Sequence, residues 1–284
     1  MSEVERMKLT NRIINEFKEY LIDNDKSAYT VEKYIRDVMK FKEYAGDCEI
    51  VKETAGEYKN YLVRGGYSVR SINSMLSSVN ALFKFLNRHD LKVKTIKMQR
   101  SVFCPEDKEL TRAEYQRLCS AAKMKKNNRL ELIIETVCAT GIRIGELKYI
   151  TVESAKRGEA VVTLKGKTRY VFIPKELKRK LLRYSKEQNI KSGMIFVTRT
   201  GKAVNRTNVW RDMKNLCKDA GVKPEKVFPH NLRHLFARTF YNIDKDIAKL
   251  ADILGHSSID TTRIYIISTG AEHRRLIEKM NLIL

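Results

Sequence analysis

The segment Ile72-Asn-Ser-Met-Leu-Ser-Ser-Val-Asn-Ala-Leu-Phe-Lys-Phe-Leu86 places apolar residues three and four positions apart along its whole length. This spacing predicts an amphipathic helix, because residues three or four apart share one helical face. The spacing recurs in three upstream runs, so residues 9–87 are predicted to form four helices and a small helical domain. Thr30 is the predicted start of the second helix, whereas Ser71 leaves the start of the fourth open. The upstream runs are Ile13–Leu21, Val31–Phe41 and Tyr58–Leu62.

Downstream of these helices the chain becomes basic and loses its periodicity. The stretch Lys92-Val-Lys-Thr-Ile-Lys-Met-Gln-Arg100 carries charge of one sign only, and Pro105 follows it. We interpret it as a linker, either a solvated tether or a segment that lies along a polyanion. The predicted organisation is a helical domain at 1–90, a linker at 91–107 and a second domain at 108–284.

The second domain has a mixed pattern. Thr111 and Glu114 form a capping box at the start of a helix, and a strongly apolar helix is predicted over 128–140. Two β-prone runs, 160–164 and 170–173, flank Lys165-Gly-Lys-Thr168 and predict a hairpin with lysines at its tip. Helices are predicted to follow at 175–188, 206–220, 231–241, 247–254 and 259–265, with an amphipathic tail at 271–284.

The composition restricts the class of protein and its partners. Hydrophobic residues make up 43% of the 284, which is enough for folded cores, and the net charge of +22 favours a polyanionic partner. No apolar run approaches the ~20 residues that cross a bilayer, and no signal peptide is evident, so a soluble, cytoplasmic protein is expected. The five cysteines lack CxxC spacing and are expected to be reduced, buried thiols.

The segment His230-Asn-Leu-Arg-His234 is a first candidate for chemistry. At about 100° per residue, His230 and Arg233 share one side of a helix, while Leu232 and its apolar neighbours share the other. The apolar side is expected to pack inward, so His230 and Arg233 are expected to face a surface or cleft. The alternative is that the pair is simply exposed to solvent and has no catalytic role. The spacing of His230 and His234 also suits zinc, but the pattern offers neither a third ligand nor the glutamate of HExxH.

Two further segments carry candidate residues. In Thr140-Gly-Ile-Arg-Ile-Gly-Glu-Leu147, two glycines flank Arg143 directly after the apolar helix, which predicts a sharp turn with a helix restarting at Glu146. An incidental arginine beside a helix C-cap is the alternative. In Leu254-Gly-His-Ser-Ser-Ile-Asp-Thr-Thr-Arg-Ile-Tyr265, His256 follows a helix-ending glycine and a short helix ends at Tyr265. Alone, such a tyrosine would be an ordinary half-buried residue.

In this order and spacing, the three segments resemble the signature of the tyrosine recombinase (phage integrase) family. That signature has an arginine in T-G-x-R-x-x-E-L, then H-x-L-R-H, then L-G-H with a tyrosine nine residues after its histidine. The resemblance covers about residues 110–265, and the N-terminal helices are similar to the SAM-like core-binding domain of Xer and integrase proteins. It implies a mainly α fold: a four-helix SAM-like domain, then an α+β catalytic domain with a small antiparallel hairpin.

The resemblance also implies which residues carry the reaction. Six match the family's catalytic positions: Arg143, Lys165, His230, Arg233, His256 and Tyr265. The hairpin turn is about one residue shorter than in the Xer pattern, which keeps Lys167 as an alternative to Lys165.

The residue types suit attack on a phosphodiester. Guanidiniums match the negative charge that grows on the non-bridging oxygens, and His256 adds a donor. His230 would accept the phenol proton of Tyr265, and a hairpin lysine would protonate the leaving 5′-oxygen. The 3′-phosphotyrosine conserves the bond energy, so no cofactor and no metal are expected. Glu146 is expected to orient Arg143 or to cap its helix, and not to take part in the chemistry.

The expected partner is double-stranded DNA with an inverted-repeat core site, clamped between the two domains. Phosphate contacts would supply most of the affinity, and the helices at 71–87 and 206–220 are candidates for the major groove. The apolar tail at 271–284 docks either on its own domain or on a neighbouring protomer. The family resemblance favours the latter, and with it a homotetramer linked by tail exchange.

Several alternatives remain open at this point. A type IB topoisomerase-like enzyme would share the chemistry, and a non-catalytic DNA-binding accessory protein would share the charge. The helical domain begins almost at once, without a further N-terminal domain, which favours a compact Xer-like recombinase. Chromosome-dimer resolution and mobile-element integration are both compatible with these motifs.

Overall fold

A computed structural model describes residues 8–46, 48–97, 108–164, 166–256, 258–265 and 278–280. The chain divides into two compact units, Met1–Arg100 (unit 1) and Ser101–Leu284 (unit 2). The domain division predicted above, with a linker at 91–107, stays a prediction, since residues 98–107 lie outside the described ranges. Within those ranges, no helix combines the length and the apolar content that crossing a membrane requires.

Unit 1 contains the four predicted helices. Ser27 rather than Thr30 caps the second helix, because the Ser27 hydroxyl accepts a hydrogen bond from the Thr30 backbone N–H. In the fourth helix, the Ser68 hydroxyl caps the backbone N–H of Ser71 in the same way. The elements are α1 (Asn11–Asp23), α2 (Ala28–Ala45), α3 (Lys52–Arg64), α4 (Val69–Phe85) and a 3-10 helix at His89–Leu91.

The core of unit 1 is built around aromatic side chains on the inward faces of these helices. Phe41 is fully buried and meets Tyr58 and Phe83 edge-on, with ring centroids 4.9 Å and 5.7 Å away. Edge-to-face pairs of this kind add to the stabilisation that burial of the apolar area already gives. The helical periodicity therefore predicted most of the buried faces, but Met39 and Tyr61, which belong to the apolar runs, are 38% and 44% exposed.

A charged group is also buried in unit 1, between α2 and α4. The carboxylate of Asp37, 3% exposed, accepts hydrogen bonds from the ammonium of Lys33 at 2.8 Å and from the hydroxyl of Ser78 at 2.9 Å. Lys33 also donates to Ser78 Oγ and to the Ser74 carbonyl. The buried charge therefore has a complete set of partners.

Two asparagines of α4 hold the chain that leaves unit 1. The side-chain amide of Asn80 bonds both the N–H and the C=O of Val93, each at 2.9 Å. Asn73 does the same for Ile96, at 2.8 and 2.9 Å. Residues 93–96, which the sequence assigned to the linker, are therefore attached to the surface of α4.

Unit 2 follows the predicted order of elements, with one break. The capping box at Thr111 and Glu114 is present. The helix predicted over 206–220 is divided at Asn215–Leu216. The elements are α5 (Arg112–Met124), α6 (Asn128–Thr140), a 3-10 helix (Ile144–Tyr149), α7 (Val152–Arg157), β1 (Glu159–Leu164), β2 (Lys167–Phe172), α8 (Lys175–Glu187), α9 (Arg206–Lys214), α10 (Cys217–Ala220), a 3-10 helix (Pro224–Lys226), α11 (Pro229–Asp244), α12 (Ile247–Leu254) and α13 (Ile259–Arg263).

The predicted hairpin is an antiparallel pair, β1 and β2, in which Glu159 faces Phe172 and Thr163 faces Thr168. Successive side chains of a strand point to opposite faces. Val171 is buried on the inner face, whereas Phe172 on the outer face is 63% exposed. The hairpin therefore has one face in the core of unit 2 and one face outside it.

Helix α11 lies between two apolar clusters of unit 2. Leu232 belongs to the main core, which α6 crosses with Ile133 and Val137. Ala237 belongs to a smaller cluster with Leu250, Leu254 and Tyr265. The helix is thus covered on more than one side, so α11 residues that lie between the two clusters are shielded from solvent.

The cysteines only partly follow the prediction. Cys217 is buried, Cys119 and Cys138 are partly buried, and all three are free thiols whose pKa is raised by burial. Cys48 is exposed, so the prediction of buried thiols is wrong there, and Cys104 lies outside the described ranges.

Candidate active site

Arg143 stands at a corner between α6 and the following 3-10 helix. Gly141 ends α6 with φ +63°, a conformation that L side chains rarely adopt, and a Cβ there would come within 2.6 Å of the Phe236 ring. Arg143 then caps the 3-10 helix, which begins at Ile144 and not at Glu146 as predicted. The predicted sharp turn is present, and its tight packing holds the arginine in place.

Glu146 is the carboxylate beneath this corner, and it is 2% exposed. It accepts from the backbone N–H of Arg143 at 2.9 Å and from its guanidinium at 3.0 Å. Burial by itself would raise the pKa of Glu146, but these contacts and the guanidinium of Arg169 together lower it. Glu146 is therefore a carboxylate that orients arginines, as expected from the sequence.

Arg233 is fully buried and joins the ends of two helices. It donates to the carbonyl of Gly141, at the end of α6, and to that of Leu254, at the end of α12, 2.7 Å away. Helix C-termini carry unsatisfied carbonyls and partial negative charge, which favour a cation there. Burial and Arg143 nevertheless lower its pKa to about 10, and the Arg233 Nε, itself buried, has no hydrogen-bond partner.

The burial of Arg233 contradicts the expected helix, in which His230 and Arg233 share an outward side. Arg233 was expected on the outward side with His230, but it is 1% exposed. The reason is the second apolar cluster, which covers the side of α11 that the sequence left for solvent. Only His230 of the predicted pair is exposed.

His256 follows α12 at Gly255, which has φ +65°. Its Nε2 lies 3.1 Å from a guanidinium nitrogen of Arg233, and its Nδ1 lies 2.9 Å from the hydroxyl of Thr262. Arginine can only donate, so Nε2 accepts and the ring proton faces Thr262. Burial and then Arg233 lower the His256 pKa to about 4. The expected donor role of His256 toward a phosphate therefore requires the other tautomer, with the Thr262 hydroxyl donating to Nδ1, or a turn of the ring.

Tyr265 is 2% exposed and lies among three imidazoles. The ring centroid of His234 is 4.4 Å away in an edge-to-face arrangement, that of His256 is 5.6 Å away and nearly parallel, and that of His230 is 5.9 Å away. The phenol also favours the charged form of Arg233. The segment that the sequence singled out for its tyrosine thus brings this side chain against the segment of His230, Arg233 and His234.

His230 and His234 are held neutral around this tyrosine. His230 keeps an exposed edge, but the neighbouring side chains that cover the rest of its ring, followed by the charges of Arg233 and Arg143, lower its pKa. Burial and His230 lower the pKa of His234 to about 4. A neutral imidazole has a free lone pair and can accept a proton. Within the described ranges, no cluster of three or more His, Cys, Asp or Glu residues is placed to hold a metal ion.

The remaining predicted positions lie mostly outside the described ranges. Lys165 is one of these residues, and only the backbone of its alternative, Lys167, is described, as the first residue of β2. The choice between them stays a prediction. Of the tail at 271–284, only residues 278–280 are described, and the role predicted for it is likewise untested.

The sequence patterns missed Arg169, which occupies the inner face of β2. Its guanidinium donates to Glu146 at 2.5 Å and to the Ile253 carbonyl at 2.8 Å, and the side chain is 11% exposed. The strand alternation could have revealed it, because Arg169 shares a face with the buried Val171. An arginine on the buried face of a hairpin needs a hydrogen-bond or ion-pair partner. The alternation of the strand could therefore have indicated that Arg169 has such a partner inside unit 2.

The site as a whole carries excess positive charge. The guanidiniums of Arg143 and Arg169 share one carboxylate, Glu146, and the nearby Arg233 has no carboxylate partner among the described residues. Guanidiniums present fixed forks of donors that match phosphate oxygens. The arrangement can bind a phosphate-like anion beside a phenol and neutral imidazoles, which suits nucleophilic attack at phosphorus.

Comparison with known proteins agrees with this chemistry. Residues 108–272 match the phage integrase family, and residues 14–90 match the phage integrase N-terminal SAM-like domain. The chain is 31% identical to the tyrosine recombinase XerA of Thermococcus kodakarensis, over 96% of both chains. It is 29% identical to the tyrosine recombinase XerD of Vibrio cholerae, over 83% of this chain and 84% of the relative.

Solved structures share the fold. A crystal structure of XerA recombinase aligns with a TM-score of 0.54 at 27% identity, covering 97% of this chain and all of that one. A lambda integrase dimer bound to a core site aligns with a TM-score of 0.73 at 17% identity, covering 90% and 94%, which shows the fold alone. The fold is accordingly mainly α, with a SAM-like domain before an integrase catalytic domain. The chain belongs to the phage integrase family and is a tyrosine-type site-specific recombinase.

Proposed function

We propose that this enzyme cuts and rejoins duplex DNA at a specific site through a covalent 3′-phosphotyrosine on Tyr265. The observation that carries the proposal is the position of Tyr265, whose ring is enclosed by His230, His234 and His256 beside the buried guanidinium of Arg233. A phenol has an ordinary pKa of about 10 and needs a neighbouring base and positive charge to act as a nucleophile. Both are present around this side chain.

The step is a transesterification. The phenolic oxygen of Tyr265 bonds to phosphorus while the bond from phosphorus to the 5′-oxygen breaks. His230 takes the phenol proton, and Lys165, with Lys167 as the alternative, gives a proton to the 5′-oxygen. Rejoining is the reverse reaction with a second strand, and because one phosphodiester bond is exchanged for another, it draws on no cofactor.

Arg143 and Arg233 bind the non-bridging oxygens of the scissile phosphate in this proposal. Their charge matters most in the transition state, where the phosphorane oxygens carry more negative charge than the substrate. His256 assists at the same oxygens once its ring N–H is turned toward the phosphate. Of the two arginines, Arg143 is the solvent-accessible one before DNA binds, with 41% of its side chain exposed.

DNA with an inverted-repeat core site is the proposed substrate, and the reaction is placed in the cytoplasm. The net charge of +22 supports a phosphate-rich partner. Helices α4 and α9 are the proposed groove-binding elements. Helix α9 exposes Trp210, 44% accessible, with the ammonium of Lys214 5.5 Å from the centre of its ring.

The proposed assembly on DNA is a homotetramer whose protomers exchange their C-terminal tails. Support comes from the apolar residues of the tail, Leu276, Ile277, Met280, Leu282 and Ile283, and from a related fold, the lambda integrase tetramer bound to a Holliday junction. The reaction would serve either chromosome-dimer resolution or the movement of a mobile element.

Covalent capture tests the proposal. Nicked duplexes are selected from a random-sequence pool by their denaturant-resistant attachment to the wild-type protein, and the selected duplex is then offered to variants. Tyr265→Phe should bind the duplex with unchanged affinity and form no adduct. Tyr241→Phe, which changes a partly buried tyrosine packed on the same apolar cluster, is the matched control and should form adduct. An adduct with Tyr265→Phe would exclude Tyr265 as the nucleophile.

A further inference from the structure

We propose that Arg169 is a positioning residue, which fixes the backbone corner at Arg143 and the loop of His256 relative to each other. It does so through hydrogen bonds to Glu146 and to the Ile253 carbonyl. This proposal rests on the proposed function. It concerns a residue with a side chain only 11% exposed, which does not reach the substrate and acts through its neighbours.

The first connection runs to the Arg143 corner. One guanidinium nitrogen of Arg169 lies 2.5 Å from Glu146 Oε2, the same oxygen that accepts the backbone N–H of Arg143. The other carboxylate oxygen of Glu146 accepts from the Arg143 guanidinium. Without Arg169, Glu146 would lose one of its two charged partners while remaining buried, and the carboxylate would be free to shift.

The second connection runs to the loop of His256. The other guanidinium nitrogen of Arg169 lies 2.8 Å from the Ile253 carbonyl, at the C-terminal end of α12. The next carbonyl, that of Leu254, is taken by Arg233. Two arginines from different elements thus hold consecutive carbonyls directly before Gly255 and His256.

The aliphatic part of Arg169 supports the same loop by packing. A Cβ placed on Gly255 would collide with the Cδ of Arg169, so the arginine lies directly against the backbone of Gly255. This contact requires glycine at position 255 and lets the loop lie on the hairpin. Since His256 is the adjacent residue, the side chain of Arg169 determines how far His256 stands from β2.

Arginine suits this position better than lysine. The two contacts need two N–H donors on one side chain, held at a fixed angle, and the guanidinium supplies them while an ammonium concentrates its charge at one atom. A lysine could keep either Glu146 or the Ile253 carbonyl, but not both with the same geometry.

The test compares variants at Arg169 with a matched control on captured nicked DNA. Arg169→Met should form the covalent adduct about 10²-fold more slowly in single-turnover reactions, because displacement of aligned groups by about 1 Å has effects of this size. Its DNA affinity should be unchanged, and Arg169→Lys should give an intermediate loss. The control Lys226→Met removes another buried cation of unit 2, paired with Glu114, and should keep the wild-type rate.

A second variant and a second substrate separate positioning from simple loss of stability. Gly255→Ala keeps every charge but displaces Arg169, and should slow cleavage without weakening DNA binding. A methylphosphonate at the scissile position removes one phosphate charge. With at least one of its stereoisomers, the defect of Arg169→Met should shrink, because the misaligned guanidinium of Arg143 matters less there.

Three results would overturn the inference: an Arg169→Met rate equal to that of Lys226→Met, a defect entirely in DNA affinity, or the same defect on both methylphosphonate stereoisomers. A wild-type protein that forms no adduct would instead overturn the proposed function, so the two failures are distinguishable.

Discussion

Both units of the molecule bury charge, but they balance it differently. In unit 1, the Asp37 carboxylate meets the Lys33 ammonium at 2.8 Å and the Ser78 hydroxyl completes its partners. In unit 2, Arg233 is buried as deeply, yet none of the ion pairs among the described residues includes it. Its partners are carbonyls, a neutral imidazole and the phenol of Tyr265. One buried charge is neutralised and the other is not.

The comparison distinguishes a buried charge that stabilises the fold from a buried charge that is left available to a ligand. A buried ion costs several kcal/mol of desolvation, which only a good partner offsets. Unit 1 supplies that partner internally, so its buried pair joins α2 to α4 and has nothing left to offer a ligand. Unit 2 leaves the charge of Arg233 without a carboxylate partner, and in the proposed function a phosphate of the DNA supplies the missing partner.

The largest expected effect comes from removing the unbalanced charge. Arg233→Met should slow adduct formation at saturating DNA by about 10³-fold, because a donor aimed at the developing charge is lost. Lys226→Met removes a cation that Glu114 already neutralises and should leave the rate unchanged. Single-turnover rates on captured nicked DNA measure both. Equal losses in the two variants would show that charge balance does not distinguish these sites.

The next effect concerns stability in unit 1. Asp37→Asn should lower the free energy of unfolding of unit 1 by about 3 kcal/mol, because it removes a buried carboxylate and leaves the partly buried Lys33 without a counterion. Urea unfolding followed by circular dichroism measures it, while fluorescence of Trp210, the only tryptophan, reports unit 2 separately. Glu16→Gln, which removes an exposed pair with Arg12, is the control and should cause no measurable change. If both variants unfold alike, the buried pair of unit 1 is not structural.

The smallest effect is a pH dependence expected in unit 2. In the folded protein the pKa of His234 and of His256 is lowered to about 4, against about 6.5 in an unfolded chain. Between these values the unfolded state binds more protons, so stability falls as the pH drops from 6.5 to 4 and is level above 6.5. Each imidazole should contribute on the order of 1 kcal/mol per pH unit.

Unfolding in urea, followed through Trp210 at pH 7.5 and pH 5, tests this dependence. His234→Phe should remove part of it and leave the rest, because the pKa of His256 and that of His230 are lowered as well. Unit 1 has one histidine, the exposed His89, and offers no buried imidazole for comparison. A pH dependence that His234→Phe leaves intact would count against burial of a neutral ring at this position.

Local patterns predicted much of the fold, since helical spacing and capping residues act over a few positions. The four helices of unit 1, the Thr111 capping box and the hairpin followed from them. The break between α9 and α10 did not, because apolar spacing continues through it and Val209, Met213, Leu216 and Cys217 are all buried.

The candidate site was predictable in its residues and not in their environment. Motif spacing singled out Arg143, His230 and Tyr265, because an ordered set of motifs survives in sequence. The burial of Arg233 depends on a second apolar cluster formed by distant segments, so one helix could not reveal it. The role of Arg169 depends on contacts 23 and 84 positions away in the chain.

The two carbonyls that hold Arg233 have a consequence for how this protein can evolve. A main-chain carbonyl is present whatever side chain its residue carries, so Arg233 keeps its anchor when Leu254 is replaced by another residue of similar shape. The carbonyl on α6 belongs to Gly141. The residue type is restricted there, because a side chain at position 141 would collide with the Phe236 ring. The course of the backbone therefore fixes the position of the arginine, and substitutions can accumulate around it without moving it.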